Sequence, residues 1–276
     1  DTVVFCVQPG SGDSLQFIPQ AYVSIAPEGW GGVQLDFGKF YTSAGAEPTE
    51  THLNWNYSRS RIYTYGPYFH AGARASVPLH EKFSIGGQLL NGWDSVRDRN
   101  SGKTVGLTSA YTDEKFSWFQ TYLAGPENDE TNTGTRQFYD TVVTFGTEKA
   151  QAYVNFDYGR FKPILDTGAV GRGEIVALAV AARFQITDTF AISPRYGVYD
   201  DKDGAATGQT QVLQDFTLTA EKKLAPGFLT RFEYRRDWSN NPFFDRGAQT
   251  GNHKSADTLT VGMVVVFGPG GFQLKN

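Results

Sequence analysis

The sequence predicts an all-β fold, an antiparallel up-and-down transmembrane β-barrel of about 14 strands. Three observations lead there. Apolar and polar residues alternate with period two through most of the chain. The alternating stretches run about ten residues, the length that a tilted strand needs to cross a bilayer. The connections between them alternate between short and long, as in barrels with tight turns at one end and extended loops at the other.

The stretch from Phe228 to Trp238 shows the alternation plainly. Phe228, Thr230, Phe232, Tyr234 and Trp238 share one face, and Leu229, Arg231, Glu233, Arg235 and Asp237 the other. A sandwich strand hides its apolar face and seldom carries so dense an ionic face along its full length. A barrel strand with lipid on one side and water on the other accounts for both faces. The same reading places strands over 2–8, 15–25, 32–41, 67–78, 82–91, 103–112, 115–124, 137–146, 149–158, 174–185, 189–199, 209–221, 227–238 and 256–267. Short connections fall at His80-Glu81, Asp113-Glu114, Thr147-Glu148, Thr187-Asp188 and residues 222–226. Long ones cover 42–66, 92–102, 125–136, 159–173, 200–208 and 239–255.

Composition excludes several other classes. The chain has 276 residues, 39% of them hydrophobic, with 21 Phe and 14 Tyr, which is too aromatic for a disordered chain. The negative mean hydropathy of −0.39 would suit a soluble protein, but alternation hides apolar surface from any window average. No apolar run approaches the ~20 residues of a membrane-spanning helix. Cys6 is the one cysteine, so there is no disulfide framework or cysteine-rich zinc module. A net charge of −4 argues against nucleic acid as a partner. No linker or compositional break divides residues 1–276, which read as one domain.

The face opposite the aromatic residues supplies candidate pore-lining side chains: Arg74, Asp157, Arg183, Arg195, Asp215, Arg231, Glu233 and Arg235. An 8-stranded barrel is filled by its own side chains and one of 16–18 strands holds an aqueous channel, so about 14 strands would enclose a narrow, charge-lined one. Residues 42–66 form the longest connection and carry Trp55, Tyr57, Tyr63 and Tyr65, too much aromatic surface for a freely solvated loop. Folding inward, this loop would narrow the pore, with Glu47, Glu50, Tyr57, Arg59 and Arg61 as constriction residues opposite the wall arginines. The competing expectation is that the wall charges neutralise one another across strands and serve the barrel's shape.

Several segments resemble the OmpL-like family of outer-membrane β-barrel porins. They are Leu35-Asp36-Phe37-Gly38-Lys39-Phe40, Gly45-Ala46-Glu47, Asn56-Tyr57-Ser58-Arg59-Ser60, His70-Ala71-Gly72-Ala73-Arg74, Asn91-Gly92-Trp93-Asp94, Tyr199-Asp200 with Thr207-Gly208, and Glu233-Tyr234-Arg235. The resemblance runs from about Gln20 to Phe267, carried by the order and spacing of the segments. It implies a Gram-negative outer-membrane barrel with a porin's role. It also implies further strands before the Gln20 segment, and so up to about 16 strands in a longer chain.

Motifs for chemistry are missing. The sequence contains no GxSxG, HExxH, CxxC or P-loop, and Asp200-Asp201-Lys202-Asp203-Gly204 lacks the ligand spacing of a calcium loop. No catalytic residue, metal or cofactor is expected. The expected function is passive diffusion of small polar solutes or ions across the bacterial outer membrane, with membrane lipid and the solutes as partners and a homo-oligomer or an envelope protein as a further one. Two other readings stay open. One is a non-conducting barrel acting as adhesin or envelope anchor. The other is a barrel-embedded hydrolase built on His253 and Ser255, with Asn240, Asn241 or Asn252 as the orienting residue.

Overall fold

A computed structural model describes residues 18–165, 167–246 and 249–266. The strand expected over 2–8 and the first residues of the one expected over 15–25 lie outside them. The strands are β1 (Ala21–Ile25), β2 (Gln34–Tyr41), β3 (Phe69–His80), β4 (Phe83–Leu90), β5 (Thr104–Thr112), β6 (Phe116–Gly125) and β7 (Arg136–Gly146). They continue as β8 (Ala150–Phe161), β9 (Gly173–Thr187), β10 (Phe190–Asp201), β11 (Gln211–Ala225) and β12 (Phe228–Ser239). The last are β13 (Phe244–Arg246), β14 (Gln249–His253) and β15 (Ser255–Val265). One 13-stranded sheet takes β1 to β12 in chain order and then β15, while β13 and β14 pair separately. Neighbours in sequence are therefore neighbours in space, which is the up-and-down arrangement.

Two compact units divide the described residues. The first comprises 18–45, 66–142 and 157–175. Here Asp36 pairs across β2 and β3 with Arg74, Arg74 with Gln88 of β4, Gln88 with Gly106 of β5, and Gly106 with Leu123 of β6. Asp36 and Gln88 on this face are buried, while Val23, Leu89, Leu107 and Trp118 on the other are exposed. Toward one end of the buried face the lining turns apolar. Phe40, Leu90, Leu123 and Phe138 form a cluster against which Trp93 packs, with the Trp93 and Phe138 rings edge to face at 5.0 Å.

The second unit comprises 46–65, 143–156 and the described part of 176–276. Its strands invert the usual polarity more strongly. Arg195, Asp215, Thr217, Thr219 and Arg231 are buried, whereas Tyr196, Phe216, Leu218, Phe232 and Tyr234, on the opposite face, are exposed. A strand in water that buried its charges and exposed its aromatics would lose free energy twice, through desolvation and through lost hydrophobic burial. Lipid outside removes the second cost, and ion pairing removes much of the first.

Three connections differ from the sequence reading. Residues 222–225 belong to β11, whose pairing with β12 continues past a register shift at Lys223/Ala225, so the turn is only Pro226-Gly227. The connection 239–255 contains the β13–β14 hairpin, whose short, weakly alternating strands give little period-two signal. Residues 42–66 contain a 3₁₀ turn at Thr51–Leu53 and a short helix, α1, at Arg61–Tyr65.

Candidate permeation site

The segment 46–65 lies on the charged face of β10, β11 and β12 within the second unit. Charged wall residues receive its backbone. Glu233 accepts hydrogen bonds from the backbone N–H of Tyr57 at 2.7 Å and of Ser58 at 3.0 Å. Arg231 donates to the carbonyls of Thr51 (2.9 Å), Asn54 and Asn56 (3.4 Å), while its Nε donates to Glu221 at 2.9 Å. Arg235 donates to the carbonyl of Arg59. A non-repetitive segment exposes backbone donors and acceptors that need partners when buried, and the charged wall supplies them.

Side chains complete the attachment. Arg195 Nη1 donates to Glu47 Oε1 at 2.8 Å and to the Ser58 carbonyl at 2.7 Å; its Nη2 donates to Thr217 at 3.1 Å and to Asp215 at 3.4 Å. Glu47 also takes the Ser60 backbone N–H at 2.9 Å and the Ser60 hydroxyl. Arg61 donates to Asp237 through Nε at 3.0 Å and Nη2 at 2.7 Å. Asn56 donates to the Ser193 carbonyl at 2.9 Å and the Thr219 hydroxyl at 2.8 Å. Trp55 packs on Tyr153, and Tyr65 on Tyr199, with ring centroids 5.2 and 4.8 Å apart.

The register explains why cations from several elements converge here. Asp215 and Asp237 sit directly opposite each other on β11 and β12. Two facing carboxylates repel. Arg195 and Arg235 reach Asp215 at 3.4 and 3.9 Å, and Arg235 and Arg61 each reach Asp237 at 2.7 Å.

The structure thus brings Glu47, Tyr57, Arg59 and Arg61 together with Arg195, Asp215, Arg231, Glu233 and Arg235. Arg183 joins through Glu221, to which it donates at 2.9 Å. Arg59 is anchored by the Thr49 carbonyl at 3.0 Å and lies over the Tyr63 ring. The Glu50 carboxylate makes no hydrogen bond among the described residues; its backbone carbonyl accepts from Asn54 at 2.9 Å. Arg74 and Asp157 belong to the first unit. Arg74 pairs with Asp36 at 2.7 Å, and Asp157 is buried in β8. Sequence reasoning missed Asn54, Asn56, Ser58 and Ser60 as anchors. Their signal was a run of short polar side chains inside an aromatic loop, a composition that fits turns equally well.

Two of the three carboxamides considered for a hydrolase, Asn240 and Asn241, are in other use. Asn240 accepts the Val212 N–H at 2.8 Å, and Asn241 donates to the Thr210 carbonyl at 2.7 Å. No group of three or more His, Cys, Asp or Glu that could hold a metal occurs among the described residues.

Residues 2–267 match the model of the family described as "Putative beta-barrel porin-2, OmpL-like". The chain belongs to that family. As a member of this porin family it is a protein of the bacterial outer membrane, and the resemblance in its ordered segments is accounted for. Solved structures show the same fold. The anion-selective porin from Comamonas acidovorans superposes with a TM-score of 0.65 at 14% identity, over 91% of this chain and 78% of that one. The outer membrane channel DcaP of Acinetobacter baumannii gives 0.62 at 13% identity, over 92% and 76%. OmpT of Vibrio cholerae, in its trimer form, gives 0.60 at 13% identity, over 92% and 82%. Among curated proteins, none matches in sequence. Membership and fold together make the chain an outer-membrane channel protein of the β-barrel kind.

Proposed function

We propose that this porin passes small polar solutes or ions by passive diffusion along the polar faces of its strands, through a passage that the segment 46–65 narrows. The observation that carries the reading is the inverted polarity of β10–β12. Asp215, Thr217 and Thr219 have no exposure at all, while Phe216 and Leu218 between them are 37% and 41% exposed. A face of that kind suits water and charge inside and hydrocarbon outside. An aqueous passage spares a solute most of its desolvation cost, and charges along it bias which ions enter. Arg74, Asp157, Arg183, Arg195, Asp215, Arg231, Glu233 and Arg235 are the wall residues of this proposal. Glu47, Glu50, Tyr57, Arg59 and Arg61 are its constriction residues. Most of the second unit's charges hold the segment in place, so we assign them to shaping the passage rather than to direct contact with solute. Assembly as a homo-oligomer is part of the proposal, and sedimentation in detergent checks it.

Conductance of the purified protein across a planar bilayer under a salt gradient tests the reading. Discrete conductance steps support it, and the reversal potential gives ion preference. Deleting residues 47–61 is expected to raise the step size; an unchanged step would remove the constriction from the proposal. The dense attachment of segment 46–65 also favours a second reading, a barrel plugged by that segment that serves as an anchor. A correctly folded sample without any conductance would select it.

A further inference from the structure

We infer that Arg74 forms a binding station for a small hydroxylated monocarboxylate on the polar face of β2–β5, a solute class that rests on the channel reading above.

Among the wall arginines, Arg74 stands apart. Arg195, Arg231 and Arg235 each spend their guanidinium nitrogens on several carboxylate, hydroxyl or carbonyl oxygens, and Arg183 spends Nη2 on Glu221 and Gln185. Arg74 spends only Nε, on Asp36 Oδ2 at 2.7 Å. Its Nη1 and Nη2 have no hydrogen-bond partner among the described residues. The guanidinium is nevertheless held in place, lying 4.2 Å from the Phe40 ring centroid and 5.6 Å from that of Tyr22. The side chain is 28% exposed, so its free edge is reachable. A planar guanidinium with both terminal N–H groups open matches the two oxygens of a carboxylate.

The surroundings narrow the ligand further. Arg74 lines a cavity of ≈ 250 Å³ that Asp36, Ser76, Ser84, Gln88 and Thr108 also line. At ~30 Å³ per water, that is the space of about eight waters, enough for a three- or four-carbon acid. Asp36 is the one carboxylate in this lining, and both its oxygens are engaged, Oδ1 by Gln34 at 2.9 Å and by Ser24, Oδ2 by Arg74. Arg74 and Asp36 cancel in net charge, so attraction is local: the open guanidinium edge faces one carboxylate, while Asp36 opposes a second negative charge. The hydroxyls of Ser76, Ser84 and Thr108 donate and accept, which suits hydroxyl groups on the solute. Glycine shapes the floor. A Cβ at Gly86 would fall 2.5 Å from Thr108 Oγ1, so only glycine lets that hydroxyl lie across the sheet here.

The test is binding to the folded protein in detergent, read by saturation-transfer NMR with three probes: lactate, its neutral isostere lactamide, and succinate. Saturable lactate binding in the millimolar range is expected, with lactamide and succinate at least about tenfold weaker, because each loses the charge match to one guanidinium. Arg74→Gln should abolish the lactate signal. If Arg74→Gln fails to give a folded barrel by circular dichroism, Arg74→Lys is measured instead, and a several-fold weaker lactate affinity is expected from loss of the planar edge. Equal signals from lactate and lactamide, succinate binding as tight as lactate, or lactate binding unaffected by substitution of Arg74 would each overturn the inference. Conductance in potassium chloride tests the channel reading separately. Steps without saturable lactate binding would remove this station and leave the channel; lactate binding without steps would do the reverse.

Discussion

Arg195 and Glu47, 148 residues apart in the chain, meet at 2.8 Å with the Arg195 side chain fully buried. This pair joins the middle of β10 to the segment 46–65. Asp215 provides the second carboxylate at 3.4 Å, so one guanidinium is shared by two buried acids. Removing one partner of a buried pair is costly because the other charge stays behind without compensation.

Arg195→Leu should therefore destabilise the folded protein by ~3–5 kcal/mol. Combining it with Glu47→Gln should recover part of that loss, since the two residues are in direct contact and their effects cannot add. Urea unfolding in detergent micelles measures both variants. Additive losses would show that the Arg195–Glu47 contact carries no energetic coupling.

Gly262 of β15 predicts a steric test of where the segment rests. A Cβ there would lie 2.4 Å from Cε2 of the Tyr57 ring. Gly262→Ala should cost ~1–3 kcal/mol by overpacking. Tyr57→Ala in the same chain should relieve most of this penalty, so the double variant should be more stable than the sum of the single effects. Thermal unfolding of the three variants decides it.

Asp201, at the end of β10, organises the following connection. Its carboxylate accepts the backbone N–H groups of Ala205 (3.0 Å), Ala206 (3.0 Å) and Thr207 (2.7 Å), and the Thr207 hydroxyl at 2.9 Å. Asp201→Ala would leave three backbone donors without this acceptor, and each such loss costs ~1–3 kcal/mol where water cannot replace it. Amide exchange at residues 205–207 should accelerate by at least about tenfold, while exchange in the centre of β11 stays slow. Unchanged exchange at 205–207 would show that the connection is held by other contacts.

The turn pair Lys82–Asp113 predicts a pH response outside the membrane-spanning strands. Lys82 Nζ donates to Asp113 at 2.9 Å. The Lys82 hydrogen bond holds the Asp113 carboxyl below its ordinary value of 3.8, and the same bond raises Lys82. A lowered carboxyl favours the folded state above the ordinary value, and this contribution fades as pH falls through the lowered one. Carboxyl NMR should show Asp113 titrating below 3.8, and Lys82→Gln should move the midpoint upward. Both groups are exposed, so neutral-pH stability should barely change.

The strands were legible because their cause is local. Every second residue in β10–β12 faces one of two different environments, so the alternation of Phe216 and Leu218 with Asp215, Thr217 and Thr219 is written directly in the chain. Strand β6 was harder to read, since Phe119 and Trp118 are aromatic on both faces. The β13–β14 hairpin and the helical turns of 42–66 gave weaker signals, because their strands and turns are too short for a period to develop.

What the sequence by itself determined is which side of each strand is polar, that charges gather on that side, and that an aromatic segment sits between β2 and β3. Only the tertiary structure decided which charge meets which. Glu233 holds the backbone of Tyr57 and Ser58, Arg231 the carbonyls of Thr51, Asn54 and Asn56, and Arg74 keeps its outer edge open. The physical reason is reach. Alternation is set by neighbours two residues apart, whereas pairing across 137–180 residues depends on strand register and on where a long connection folds back, and many sequences with the same alternation could satisfy it differently.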